Sequence, residues 1–204
     1  MAMFGNSAIL QPPLYVEGQY IKDGTHNPVR LACVNWQGSS MQSHVVGGLD
    51  KKKLDSIINT IKSFGFNCIR MPLSHQFWDD QKPVEKRRLS KNYHLHGKIP
   101  SEILDIVIEK LGKAGILTIL NDHLTESGWC CTNDRHNSFW HSDKYPEEVF
   151  FSNWERMAER YKDNKWVIGA DLRNELRHTG NGVNPVTPKN LSHYWEHCST
   201  YTFE

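Results

Sequence analysis

Four groups of polar residues in this 204-residue chain each lie at the end of a short apolar run or directly after it. They include a carboxylate preceded by an amide, Asn174-Glu175, together with a guanidinium, Arg70, and an imidazole, His123. A carboxylic acid can protonate a leaving group, and a guanidinium can keep a second carboxylate ionised. One such group often satisfies only loop backbone, but four in succession favour a single shared site. The groups are Asn35-Trp36, Arg70, Asn121-Asp122-His123 and the segment from Asp171 to Asn174-Glu175.

Aromatic residues are concentrated in the segments that follow the same runs. A flat ring offers apolar area and a negative π-face to the C–H bonds of a sugar ring. Ordinary loop packing is the alternative explanation for each ring taken singly. Together with a carboxylate, the rings predict a cleft for carbohydrate chemistry. They are Trp36, Trp78, Trp129, Phe139 and Trp140.

The elements that must position these groups alternate between strand and helix. Continuous apolar runs predict strands covered on both faces, and the segments between them carry apolar residues at helical spacing. Strand and helix in alternation predict parallel strands with right-handed crossovers, hence an α/β sheet or a (β/α) barrel. In both, reacting groups stand at the carboxyl ends of the strands. The runs are 31–35, 67–71, 116–120 and 166–170, and the helical stripes begin at Leu54, Ile103 and Phe150.

The domain organisation follows from the same pattern. Residues 1–13 are predicted to be a tail, and residues 14–204 a partial catalytic domain that begins with a small β-hairpin over 14–17 and 19–22, before the turn signal Asp23-Gly24. Four strands cannot close a barrel, and an eight-unit barrel typically needs about 250 residues. If the sheet is part of an eight-unit TIM barrel, we expect the chain to carry about the first four βα units.

Five segments, taken jointly and in order, resemble glycoside hydrolase family 5, the cellulase family. The likeness runs from about residue 14 to residue 177, and its last segment is more similar to a cellulase-like subgroup known from plants than to bacterial endoglucanases. The segments are Val34-Asn35-Trp36, Gly65 to Pro72, Asp122-His123, Gly128-Trp129-Cys130-Cys131 and Ile168 to Arg177.

The resemblance implies a (β/α)8 barrel and a retaining glycosidase mechanism that needs no metal or organic cofactor. Glu175 matches the acid/base, and Asn174 the neighbour that hydrogen-bonds the sugar 2-hydroxyl. Arg70 matches the arginine that orients the nucleophile, and His123 a histidine beside the cleaved bond. The nucleophile, a glutamate after strand seven, is absent from this chain. We also expect the sugar to contact Trp36, Trp129 and Asn121.

The expected substrate is an oligo- or polysaccharide, such as a β-linked glucan or mannan, or a glycoconjugate. Two alternatives remain open: a carbohydrate-binding remnant without activity, and an unrelated α/β nucleotide-binding module. The sequence contains neither a Gly-x-Gly-x-x-Gly motif nor a Walker loop, so it does not support the second alternative. Coding sequence continuing in frame beyond Glu204 would favour the enzyme over the remnant.

Composition excludes several other classes. With 24 basic and 23 acidic residues, the chain gives no electrostatic reason to expect a nucleic-acid or membrane-surface partner. We expect no secretory signal in the first residues and no membrane-spanning segment. The five cysteines contain no Cys-x-x-Cys pair, which argues against a zinc knuckle and a disulfide-dense scaffold but leaves the compartment undecided. The eleven histidines show no spacing typical of a metal site.

Overall fold

The structure, a computed structural model, describes residues 10–129 and 139–176. Its strands are β1 (Tyr15–Glu17), β2 (Tyr20–Lys22), β3 (Cys33–Asn35), β4 (Cys68–Ser74), β5 (Leu117–Leu124) and β6 (Val167–Asp171). Its α-helices are α1 (Leu54–Ser63), α2 (His75–Asp79), α3 (Pro100–Lys113) and α4 (Glu147–Tyr161). Two short 3-10 helices, Lys86–Leu89 and Tyr93–Leu95, lie between α2 and α3.

One parallel sheet organises the described part of the chain. Its four strands lie side by side in chain order, β3-β4-β5-β6, and at least one helix connects each strand to the next. The two remaining strands form the predicted antiparallel hairpin, with Tyr15 opposite Lys22 and a turn at Gly18, whose φ is +61°. The prediction of an α/β architecture is confirmed.

The helices begin and end for reasons visible in the sequence. In α1, Leu54 and Ile58 on the apolar stripe are buried, and Gly65, with φ +83°, follows the helix in a conformation that favours glycine. At the start of α3, Pro100 occupies the first turn, and the Glu102 carboxylate accepts a hydrogen bond from the Ile99 N–H at 2.9 Å.

The core lies between the sheet and the helices, and its fully buried members come from several of these elements. They include Ile69, Leu73, Val107, Leu111 and Phe150. The last turn of α3 packs closely on the ring before β6: a Cβ on Gly112 would lie 2.2 Å from the Trp166 ring. Glycine is therefore required at this contact.

One detail of the predicted strands is wrong. The first strand, expected to be covered on both faces, is three residues long and largely exposed. It pairs with β4 among the described strands. The third strand, predicted to end in the polar group 121–123, continues one residue further, to Leu124 of β5. Asn121 and Asp122 lie opposite residues of β4, and His123 lies at a shift in the register between β4 and β5.

A disulfide between Cys33 and Cys68 joins β3 to β4. The two residues are directly opposite in the parallel register, which brings their Cα atoms to 4.2 Å. The cysteine spacing alone did not predict this pair. Over residues 10–129 and 139–176, no helix combines the length and the apolar character needed to cross a bilayer.

Candidate active site

Arg70, on β4, links the carboxyl ends of three strands. Its Nε donates to the Asp171 carboxylate at 2.6 Å, and its Nη2 lies 2.6 Å from the same oxygen. Nη2 also donates to Asn174 Oδ1 at 3.0 Å, and Nη1 to Asn35 Oδ1 at 3.3 Å. The parallel register makes this possible, because Asn35 lies directly opposite Arg70. The strand-end groups of β3, β4 and β6 therefore meet, as the sequence predicted.

His123 and Asn121 project from the same face of β5, two residues apart. The Nδ1 of His123 lies 2.8 Å from Asn121 Oδ1, while the Asn121 amide group donates to the carbonyls of Asp122 and Asp171 at 3.3 and 3.2 Å. The Asn121 oxygen therefore accepts from the imidazole, which places the proton on Nδ1 and leaves Nε2 as an acceptor. Asn121 is fully buried and holds the ring in place.

Burial lowers the pKa of His123 to about 4, and the positive charges of Arg70 and Arg173 add to this effect. The carboxylates of Asp122 and Asp171 oppose it. Because the desolvated ring cannot easily hold a proton beside two guanidinium groups, His123 is neutral near pH 7. A neutral imidazole can accept a hydrogen bond from a sugar hydroxyl, whereas an imidazolium cannot.

A buried ionic network lies behind this site. The Arg173 side chain, with none of its surface exposed, donates to Asp122 Oδ1 at 3.2 Å and to the Phe139 carbonyl at 2.6 Å. The other Asp122 oxygen lies 3.0 Å from His75 Nε2. No pattern singled out Arg173 as a buried ionic partner, although an arginine between Leu172 and Asn174 was a usable signal. A buried charge of this kind must be paired.

Glu175 lies one residue beyond the contact that anchors the segment after β6 to this network. The Asn174 N–H donates to the Asp122 carbonyl at 2.9 Å. Glu175 is exposed and its φ is +41°, a left-handed conformation that is uncommon outside glycine and that recurs at functional sites. Glu175 directly follows Asn174, the residue whose side chain Arg70 contacts.

The two tryptophans expected to bind sugar have different environments. Trp129 has 68% of its surface exposed, whereas Trp36 has 8% and its indole N–H donates to the Gly47 carbonyl at 3.0 Å. Exposure suits Trp129 to stacking, while the sugar contact of Trp36 stays a prediction. The packing explanation describes the other rings, which are buried: Trp78, Phe139 and Trp140.

Three residues of the segments that carry the family resemblance lie outside the described residues, namely Cys130, Cys131 and Arg177. The pairing of Arg70 with Asp171 was also missed. Arg70 was instead expected to hold the nucleophile ionised. The polar residue at the end of the fourth strand was the signal for that pair. Within residues 10–129 and 139–176, no cluster of three or more His, Cys, Asp or Glu side chains could hold a metal ion.

A parallel strand–helix sheet with a carboxylate, an amide, an arginine and a histidine along its carboxyl edge has the arrangement of a barrel-type enzyme. The family model for cellulase, glycosyl hydrolase family 5, matches residues 23–200. The chain belongs to this family. The solved relatives are (β/α)8 barrels, and the four strands in chain order form part of such a barrel, as the sequence predicted.

Several known proteins are similar to the chain in sequence. An endoglucanase of Paenibacillus polymyxa is 34% identical over 161 residues, which are 79% of this chain and 39% of that protein. A glycosyl hydrolase 5 family protein of Chamaecyparis obtusa is 29% identical over 192 residues, covering 86% of this chain and 34% of that protein. The chain therefore spans a third to two fifths of the length of these relatives.

Two solved structures are similar to the chain. The catalytic domain of the major endoglucanase of Xanthomonas campestris matches with a TM-score of 0.78 and 26% identity, over 93% of this chain and 53% of that one. The endocellulase of Pyrococcus horikoshii, in a complex with cellotetraose, matches with a TM-score of 0.72 and 30% identity. That match covers 86% of this chain and 46% of the endocellulase.

Proposed function

We propose that this chain is part of a retaining glycoside hydrolase that cleaves β-linked glucan, with Glu175 as its acid/base. The observation that carries the proposal is the hydrogen bond of Arg70 to Asn174, the residue before Glu175, at 3.0 Å. This contact joins the arginine of β4 to the segment after β6 that carries Glu175. Membership of a cellulase family and the cellotetraose complex of the Pyrococcus endocellulase support the substrate class.

The proposed reaction has two steps, and Glu175 acts in both. A second carboxylate attacks the anomeric carbon while Glu175 gives its proton to the leaving oxygen, so that the glycosidic C–O bond breaks and an ester to the enzyme forms. Water then attacks the same carbon, Glu175 takes its proton, and the ester bond breaks. The resemblance implies that the second carboxylate is a strand-seven glutamate, which we place in a part of the protein beyond this chain.

The other residues act by binding and by charge. We propose that the Asn174 amide binds the sugar 2-hydroxyl and that His123, neutral near pH 7, accepts a sugar hydroxyl at Nε2. Arg70 would orient and keep ionised the second carboxylate. Trp129, with 68% of its surface exposed, would provide the stacking face for a glucose ring.

The substitution Glu175→Gln in the full-length protein tests the assignment. A positioned acid or base contributes about 10² to 10⁴-fold in rate, so we expect a loss of that size on unactivated β-glucans. Aryl glycosides with good leaving groups should lose less in the first step, and azide should partly restore the second. Glu109→Gln, on the outer face of α3, is the matched control. Equal losses on both substrate types would contradict the assignment.

A second candidate is carbohydrate binding without hydrolysis, favoured by the fact that the chain spans only 39% of the Paenibacillus endoglucanase. The 204-residue chain separates the two ideas directly. We expect it to bind cellotetraose without cleaving it, because the resemblance implies that the second carboxylate follows strand seven. Hydrolysis by the purified chain that Glu175→Gln abolishes would place the nucleophile within it.

A further inference from the structure

A continuous series of hydrogen bonds joins the segments that follow β3, β4 and β5. His44 is its centre: Nδ1 lies 2.7 Å from Asp80 Oδ2, and Nε2 lies 2.7 Å from Ser127 Oγ. Ser127 Oγ lies 2.7 Å from Ser74 Oγ, which accepts the Phe77 N–H at 3.1 Å. This series of hydrogen bonds therefore ends at the first turn of the helix α2.

Each hydrogen bond in this series can have one donor and one acceptor. The Phe77 N–H donates to Ser74 and the Asp80 carboxylate can only accept, so the protons can run from Ser74 to Ser127, from Ser127 to Nε2, and from Nδ1 to Asp80. His44 is buried, and its φ is +51°, an uncommon conformation for histidine. A buried, fully matched side chain in such a conformation indicates a specific structural role.

The segment that His44 reaches is the β5 loop, residues 125–129. Besides the Ser127 hydroxyl, its backbone is held twice: the Ser127 N–H donates to the Gln76 side chain at 3.0 Å, and the Gly128 N–H to the Ser40 carbonyl at 3.1 Å. The next residue is Trp129, whose ring is exposed. The loop thus has a fixed base and ends in the proposed stacking ring.

The other end of the connection is equally firm. His44 belongs to the segment after β3, which folds back on itself, with Gly47 N–H donating to the Gln37 carbonyl at 2.7 Å. A Cβ on Gly38 would lie 2.3 Å from the Val45 carbonyl oxygen, so this turn has room only for glycine. His44 can therefore act as a rigid support for the β5 loop.

We propose that His44 is a positioning residue that fastens the β5 loop through Ser127 and thereby holds Trp129 in place for sugar binding. The inference deepens the proposed function and rests on it for the identity of the ligand. The contact is not part of the Arg70 cluster, so it affects binding rather than the acid/base step.

The Asp80–His44–Ser127 order is also that of a Ser-His-Asp triad. A triad needs free backbone donors beside the nucleophile to stabilise an oxyanion. Here the Ser127 N–H already donates to the Gln76 side chain, and the Gly128 N–H donates to the Ser40 carbonyl. Ser127 Oγ also lies within hydrogen-bond distance of Ser74 Oγ. The geometry therefore favours a support for the loop over an acyl-transfer site.

Two isosteric substitutions of His44 in the 204-residue chain test the proposal. Gln places its amide where Nε2 lies and can keep the bond to Ser127, whereas Asn reproduces Nδ1 and loses it. We expect His44→Asn and His44→Ala to speed amide hydrogen exchange at Ser127 and Gly128 by about tenfold or more, with His44→Gln close to wild type. His94→Ala, on an exposed histidine between α2 and α3, is the control.

Cellotetraose binding, measured by titration calorimetry, supplies the second readout. His44→Asn should weaken binding by no more than the factor of about 2 to 10 that stacking on Trp129 contributes. In a Trp129→Ala background the same substitution should have no further effect, which a general loss of structure would not produce. Additive losses, or unchanged exchange in His44→Asn, would overturn the positioning role.

The two proposals fail in different ways. A wild-type chain that does not bind cellotetraose contradicts the carbohydrate proposal, and the exchange rates at Ser127 and Gly128 still decide whether His44 fastens the loop. Labelling of Ser127 by a fluorophosphonate, lost in His44→Asn, would mean that the triad is reactive and would refute the positioning inference. The absence of labelling supports it.

Discussion

The low pKa of His123 provides a quantitative prediction that does not depend on catalysis. Burial and two guanidinium groups lower this pKa to about 4 from an ordinary value of 6.5. The difference corresponds to about 3 kcal/mol at about 1.4 kcal/mol per pH unit. Because the surrounding groups of a protein relax around a new charge, we expect about 1 to 3 kcal/mol in practice.

The sign of the pH dependence follows from which state binds the proton. The folded chain holds His123 neutral, so the unfolded chain takes up the proton first as pH falls below 6.5. The free energy of unfolding should therefore be constant above pH 7 and decrease between pH 6.5 and about 4. His123→Phe removes this term, and the difference between wild type and variant across that range isolates it from other titrating groups.

NMR titration of the His123 Cε1 proton in the folded chain measures the pKa directly. The substitution Asn121→Asp supplies the matched reversal, because a carboxylate 2.8 Å from Nδ1 would stabilise the imidazolium and raise the pKa. A wild-type pKa above 6, or no upward change in Asn121→Asp, would refute the argument that desolvation and the two arginines keep this ring neutral.

Three further substitutions test other parts of the structure. Arg173→Met should lower the free energy of unfolding by about 3 to 5 kcal/mol in urea titrations, because it leaves the buried Asp122 carboxylate without its guanidinium. Trp129→Ala should weaken cellotetraose binding by about 0.5 to 1.5 kcal/mol without lowering the melting temperature. Cys33→Ser should cost about 2 to 4 kcal/mol of stability, and non-reducing peptide mapping should find Cys33 linked to Cys68.

Each of these has a result that would contradict it. Arg87→Met, at an exposed arginine, should change stability by less than about 0.5 kcal/mol, and an equally small effect at Arg173 would mean that its charge is not buried. A Trp129→Ala chain that unfolds while keeping its affinity would show that the ring is core. Free thiols at both cysteines in the oxidised chain would remove the basis of the third prediction.

Periodicity predicted the elements well where one face is covered. The stripe from Leu54 marks α1 and the stripe from Ile103 marks α3, because burial of one helix face leaves a period that a sequence displays. The same reasoning failed for the first strand, since an apolar run does not reveal which segments cover a strand. Cys33 and Asn35 are exposed.

The site was harder to predict than the fold, because a sequence shows which residue types stand at strand ends but not how they pair. The meeting of Arg70 with Asn174 follows from parallel register and was predictable. The series of hydrogen bonds through His44 was not predictable, since it joins positions 83 residues apart in loops whose sequences have no periodic pattern. Partners within irregular segments are set by close packing of backbone and glycine turns, as at Gly38.

The two arginine–aspartate pairs around His123 differ in a way that reconciles the expected and observed roles of Arg70. The Arg173–Asp122 pair is buried, and its partners are fixed by the Phe139 carbonyl and His75. The Arg70–Asp171 pair is only half-buried, so water can solvate either group if the pair separates. A guanidinium with several donors can keep its bond to Asn174 while it turns toward a second carboxylate. We therefore expect Arg70 to exchange Asp171 for the nucleophile in the complete site, while Arg173 keeps its partners throughout.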